Sequence, residues 1–172
     1  VSLDSSIPQV ERIVLKNASL TLVVDDPGQS MDRVASLAEE FGGFVVTANQ
    51  YLSRLESGLE VPRASITIRV PAERLDEAMS RIQAESQREP INKNINSEDV
   101  TREYTDLQSR LRNLEEAEAQ LREIMASATK TEDVLSVYNE LVEVREQIEV
   151  IKGQIQYYEQ SAALSAISVE PV

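Results

Sequence analysis

Apolar and polar residues alternate in several short stretches of the first half of the chain, most regularly over residues 63–70, RASITIRV. Its apolar residues fall on one side of an extended chain: Ala64, Ile66, Ile68 and Val70. A period of two is typical of a strand with one buried face. The same criterion predicts three further strands, over residues 10–25, 44–53 and 90–96.

Two segments between these strands change to helical spacing. Asp26-Pro27-Gly28 opens the first, which ends at Gly42-Gly43, and Pro71 opens the second. Their apolar positions are three and four residues apart: Met31, Val34, Ala35, Ala38 and Phe41, then Leu75, Ala78, Met79 and Ile82. The order is therefore βαββαβ, which predicts an α+β fold with a ferredoxin-like, four-stranded antiparallel sheet and both helices on one face.

From Ser97 to about Gln160 the apolar spacing stays at three and four, with an interruption at residues 127–133, SATKTED. Thr129 and Glu132 there match a capping box, in which a helix begins. The two predicted helices carry these apolar seams: Val100, Tyr104, Leu107, Leu111, Leu114, Ala117, Leu121 and Ile124, then Leu135, Tyr138, Leu141, Val144, Ile148, Ile151, Ile155 and Tyr158.

The two seams match each other in reverse. The pairs Leu121–Tyr138, Leu111–Ile148 and Tyr104–Ile155 have the same sum of residue numbers, as facing residues of antiparallel helices do. We therefore expect a long antiparallel coiled-coil hairpin, inserted before a final strand. The predicted domains are a sheet domain of residues 10–97 plus 161–172 and a helical hairpin of residues 98–160.

Four valines of the second long helix lie beside its predicted seam: Val134, Val137, Val142 and Val150. A hairpin of two helices buries only one stripe of each helix. The valines either widen the seam or form a surface for a protein partner or a second copy of the chain.

Composition excludes several kinds of chemistry. The chain has no Cys and no His, so thiolate nucleophiles, His-dependent triads and Cys or His zinc sites are impossible. With 17 basic and 30 acidic residues its net charge is −13, which opposes binding to nucleic acid and to anionic lipid. No apolar run reaches the roughly 20 residues of a membrane span. Because the chain begins at Val1 and not at Met, we expect a processed or trimmed piece.

Carboxylates are the remaining chemistry to consider. Asp99, Glu103 and Asp106 are spaced i, i+4 and i+7, which places them on one face of the first predicted long helix, and they are weak candidates for a divalent-cation site. An acidic first turn that favours the helix dipole is the simpler interpretation. Aromatic residues make up only 4% of the chain, and glycosidase-like sites usually need aromatic platforms. We therefore expect no enzyme, no cofactor and no metal.

Several segments occur in an order that resembles the bacterial domain-of-unknown-function family 4349. The most specific are RVPAERLDEAM and SEDVTREYTDLQSRLRNLE, and the similarity covers about residues 10–170. The resemblance implies a soluble extracytoplasmic part of an envelope-anchored protein, with a lipoprotein or signal sequence before it and a transmembrane helix after it. It implies no catalytic residues, because the family has no established activity.

These features together predict a non-enzymatic interaction or scaffold module whose helical hairpin contacts a partner protein or itself. Two alternatives stay open. One is a periplasmic adaptor-like coiled-coil component of a transport assembly. The other is a sensor domain that binds a ligand or metal.

Overall fold

The computed structural model describes residues 11–172, so the predicted boundary at residue 10 lies outside the described residues. The strands are β1 (Val14–Leu22), β2 (Phe44–Arg54), β3 (Glu60–Pro71), β4 (Asn92–Asp99) and β5 (Leu164–Pro171). The helices are α1 (Pro27–Glu40), α2 (Leu75–Gln83), α3 (Thr101–Ser127) and α4 (Thr131–Ala163). By their internal contacts, the described residues form two compact units, one of residues 15–98 and 160–172, the other of residues 11–14 and 99–159.

The five strands form one mixed sheet in the order β2-β3-β5-β1-β4. The α+β class is as predicted, but the four-stranded antiparallel sheet is not what forms. Strand β5 lies between β3 and β1, antiparallel to β3 and parallel to β1. The last strand thus pairs on both of its edges, which satisfies its backbone hydrogen bonds on each side.

The core of the sheet unit lies on the face that the alternation of apolar and polar residues predicts. The face of β3 that carries Ala64, Ile66, Ile68 and Val70 is fully buried, and it packs with apolar residues of α1, α2, β1 and β5. Each of these isoleucine and valine side chains contributes about 1.5–3 kcal/mol through burial. Both helices pack with this face, which is why the strands alternate instead of being apolar throughout.

The ends of α1 confirm the predicted turn chemistry. The side chain of Asp26 accepts a hydrogen bond from the amide of Gln29, and Pro27 occupies the first turn. At the other end Gly42 has a φ of 81°, and the amide of Gly43 donates to the carbonyl of Ala38 over 2.8 Å. These bonds form a Schellman cap, which requires a left-handed residue where Gly42 stands.

Candidate functional site

The two long helices run antiparallel to each other. The hydroxyl of Tyr104 donates a hydrogen bond to the carboxylate of Glu159, and Arg145 lies 3.9 Å from Glu118. As the residue number increases along α3, the residue number of the partner on α4 decreases, as it does in an antiparallel pair. The hydrogen bond to Glu159 and burial together raise the pKa of the Tyr104 phenol above its ordinary value.

The seam of α4 follows an unbroken seven-residue repeat, but near its start the prediction was wrong. Leu135 and Tyr138 are 57% and 52% exposed, whereas Val134 and Val137 are half-buried. Counting back from buried Leu141 in alternating steps of four and three residues leads to 137 and 134. Steps of three alone, which would include 138 and 135, turn away from the stripe because a helix has 3.6 residues per turn.

The corrected seam changes which residues form the free surface of α4. Val134 and Val137, predicted either to widen the seam or to form an interaction surface, are half-buried and belong to the seam. Val142 and Val150 are exposed, by 37% and 61%. Leu135 and Tyr138 replace the first two valines on the surface, and together with Val142 they form what we term the tip patch.

The seam of α3 also shifts at one end and contains a charge in its middle. Met125 is half-buried and Ile124 is exposed, the reverse of the prediction. Glu118 occupies a seam position between Leu114 and Leu121, where its side chain is 20% exposed and forms an ion pair with Arg122. A partly buried carboxylate needs such a partner because removal from water costs several kcal/mol.

The suggested cation ligands do not share a helix face. The strand β4 continues to Asp99 and the helix α3 begins only at Thr101, because the amide of Val100 still bonds to the carbonyl of Ile13. The N-cap residue Val100 makes no side-chain hydrogen bond to the helix, and Asp99 before it binds the first helical residue instead. Its carboxylate accepts hydrogen bonds from the hydroxyl and the amide of Thr101, at 2.6 and 3.0 Å, and from Arg12 at 2.8 Å.

These donors keep the pKa of Asp99 below its ordinary value, the Thr101 hydroxyl first, then the Thr101 amide and Arg12. The other two suggested ligands, Glu103 and Asp106, are exposed on α3. Over residues 11–172, no group of three or more acidic side chains is arranged to hold a metal ion. Asp99 thus has a structural explanation, since it binds Thr101 at the start of α3 and Arg12.

A groove follows the α3–α4 pair on the side away from the tip patch. It consists of two adjoining cavities of about 770 and 430 Å³, both lined by Val150 and Gln154. The seven-residue repeat places Val150 and Tyr157 on the flank of α4 opposite to Leu135 and Val142. Both Val150 and Tyr157 are 61% exposed. Sequence reasoning named Val150 but missed Tyr157 and the glycine between them, Gly153.

The sheet unit has a polar cavity of its own, of about 370 Å³, beside the first turn of α1. Three of its charged residues have partners that stabilise the fold. Asp26 caps α1, and Arg33 forms an ion pair with Glu85 at 3.1 Å. The wall of this cavity is therefore held together by a helix cap and an ion pair.

The class of the protein is now defined: an α+β protein with a mixed five-stranded sheet and a pair of long antiparallel helices. Its sequence matches the family model described as a domain of unknown function (DUF4349) over residues 12–171. Since this span is nearly the whole chain, the protein belongs to that family, and the resemblance noted from the sequence is confirmed. No curated protein and no solved structure matches the chain. Among the helices of the described residues, none has both the length and the apolar character to cross a membrane.

Proposed function

We propose that this chain is a non-enzymatic, extracytoplasmic interaction module of an envelope-anchored protein, and that its helical pair is the part that contacts a partner. The observation that carries this proposal is the tip patch. Leu135, Tyr138 and Val142 are exposed on a helix whose seam is already filled by other residues. Large apolar side chains grouped on a surface are a feature of interaction sites.

The detail of the architecture belongs to the same proposal. We infer that α3 and α4 form a left-handed coiled coil, because both seams keep a seven-residue repeat. We also infer that the sheet is an elaborated ferredoxin-like pattern, since removing β5 from the order leaves β2-β3-β1-β4. Such a pair of helices would act by geometry: it sets a distance and presents a surface, and no single carboxylate is needed.

The envelope location is supported by the family resemblance and agrees with the net charge of −13, which disfavours nucleic-acid partners. A fusion of the full-length protein to alkaline phosphatase tests it, because that enzyme becomes active only after export. An inactive fusion at normal protein level would contradict the location.

The partner role is tested in the producing cells with the full-length protein. We expect one partner to co-purify in fixed ratio with the wild type and to be lost from a Leu135→Asp, Tyr138→Asp double variant. The matched control is Asn139→Asp, an equally exposed position that lies outside the patch. Leu111→Pro, which breaks α3, should abolish binding as well.

Two results would refute the interaction role. One is a partner retained by the double variant and by Leu111→Pro. The other is an activity of the wild type that a single carboxylate-to-Ala change abolishes, since this would indicate an enzyme.

A further inference from the structure

Gly153 has no explanation inside the chain. It lies in the interior of α4. In a helix interior, glycine has a lower helix propensity than every other residue except proline. Its φ is outside the left-handed region, which only Gly42 and Gly58 occupy among the described residues. A Cβ atom added to Gly153 would meet no atom within 4 Å. Neither the backbone nor the packing of residues 11–172 therefore requires a glycine here.

The surroundings of Gly153 indicate what does require it. It lines the groove between α3 and α4, with Val150 three residues before it and Tyr157 four residues after it. These two side chains and Gly153 itself follow the helical spacing of a contact face, with a depression in the middle. A missing side chain lets another backbone approach closely, as small residues do where two helices cross.

The dimensions of the groove fit a helix. The lining residues of α4 extend from Glu143 to Tyr158, which at 1.5 Å per residue is about 22 Å. A partner helix of about four turns would cover this length. The long direction of the groove follows two antiparallel helices, so a third helix can add its ridge between them.

Charge indicates the composition of that helix. The lining of the groove contains three carboxylates, Glu103, Glu143 and Glu146, and one guanidinium, Arg110. The whole chain has a net charge of −13. A partner with lysine or arginine beside its apolar residues is therefore attracted, whereas a second copy of this chain is repelled.

We propose that the α3–α4 groove binds an amphipathic helix of another protein, with a narrow apolar seam over Gly153 and basic residues along both sides. This inference rests on the proposed interaction function and assigns it a place and a partner chemistry. Gly153 is then a specificity feature, since a side chain there would occupy the space of the incoming helix.

The probe is a labelled helical peptide of about 18 residues, with alanine and leucine in one seam and lysine on both flanks. A peptide with glutamate in place of lysine is the charge control. Fluorescence anisotropy measures binding to the full chain. We expect saturable binding of the lysine peptide, weakened by salt, and none of the glutamate peptide.

Two variants make the test specific. Gly153→Gln fills the groove and should weaken binding of the lysine peptide at least about tenfold, which corresponds to 1.4 kcal/mol. Ala119→Gln adds a similar side chain at an exposed position of α3 that does not line the groove, and it should leave binding unchanged. Both variants should stay folded. Gly153→Ala should even raise the Tm by about 2–4 °C, because alanine favours the helix.

Three outcomes would overturn the proposal. They are no saturable binding of the lysine peptide, equal effects of Gly153→Gln and Ala119→Gln, and a lower Tm for Gly153→Ala. A wild-type dimer in light scattering that Gly153→Gln converts to monomer would also overturn it, by assigning the groove to a second copy. The tip patch lies on the other flank, so its own test can succeed while this one fails.

Discussion

The two units of this protein use the same aliphatic residues in different ways. In the sheet unit Leu22, Ile68 and Ile167 are 0% exposed, because helices and strands enclose one shared core. In the helical unit only Leu141, Ile148, Ile151 and Val100 are buried, and most of the seam is half-buried. Two helices cannot enclose a core between them, so each helix buries one stripe of side chains and exposes the others.

This difference concerns the cores of the two units, because both units expose some apolar residues. The sheet unit encloses its core but exposes apolar side chains outside it, Leu52 and Ile91 among them. The helical unit exposes Leu135, Tyr138, Val150 and Tyr157 beside a seam that is mostly half-buried, and burial of these side chains would be favourable.

The largest expected effect compares one isoleucine from each unit. Ile68→Ala should destabilise the protein by about 4 kcal/mol, because it leaves a cavity in an enclosed core. Ile155→Ala, at a half-buried seam position, should cost about 1–2 kcal/mol. Urea unfolding of the two variants measures both values. Equal losses would mean that the helical unit has a core as complete as that of the sheet.

A second prediction concerns a close approach found only in the sheet unit. A Cβ atom at Gly43 would lie 1.8 Å from the carbonyl oxygen of Arg69, which is backbone and cannot move alone. Gly43→Ala should therefore cost about 3 kcal/mol. Gly42→Ala, strained by its φ of 81° but with open space around it, should cost about 1–2 kcal/mol. The prediction fails if thermal unfolding shows a larger loss of stability for Gly42→Ala than for Gly43→Ala.

The third prediction tests the corrected seam of α4. Val137→Asp places a charge in the half-buried seam and should cost about 2 kcal/mol. Tyr138→Asp changes a largely exposed residue and should cost less than about 1 kcal/mol. Urea unfolding distinguishes the two, and the reverse order would restore the seam that the sequence first suggested.

The smallest effect is expected at the start of α3. Asp99 has a lowered pKa in the folded state, so its contribution to stability is present above the unfolded pKa of about 3.9 and is lost as pH falls through the folded value. Asp99→Asn should lower the Tm at pH 7 and have no effect below the folded pKa. A Tm difference that persists in strong acid would mean that the charge of Asp99 is not what stabilises the start of α3.

Short-range features of the fold were predictable because they depend on neighbouring residues. The alternation in β3, the start of α1 at Asp26-Pro27-Gly28 and its end at Gly42 all formed as the sequence indicated. The position of β5 in the sheet was not predictable, because the sequence of an eight-residue strand does not specify the two strands with which it pairs. Pairing of distant strands depends on the whole sheet.

The candidate surface was predictable only in part, for a similar reason. Both Val134 and Leu135 are apolar, and a seam begun at either one agrees with the sequence over a turn or two. Only continuation of the seven-residue repeat from Leu141 selects Val134. Gly153 could have been noticed as a glycine inside a long helix, but its open surroundings are a property of the structure.

The most direct test of the interaction surface is a photo-crosslinking scan of residues 131–159 of the full-length protein in its own cells. One position at a time receives a photoreactive residue, and the yield of a discrete adduct with another protein is measured. The account predicts maxima at 135, 138 and 142 and again at 150, 153 and 157, with minima at seam positions 137, 141 and 144. An adduct yield that is absent throughout, or that shows no dependence on position along α4, would contradict it.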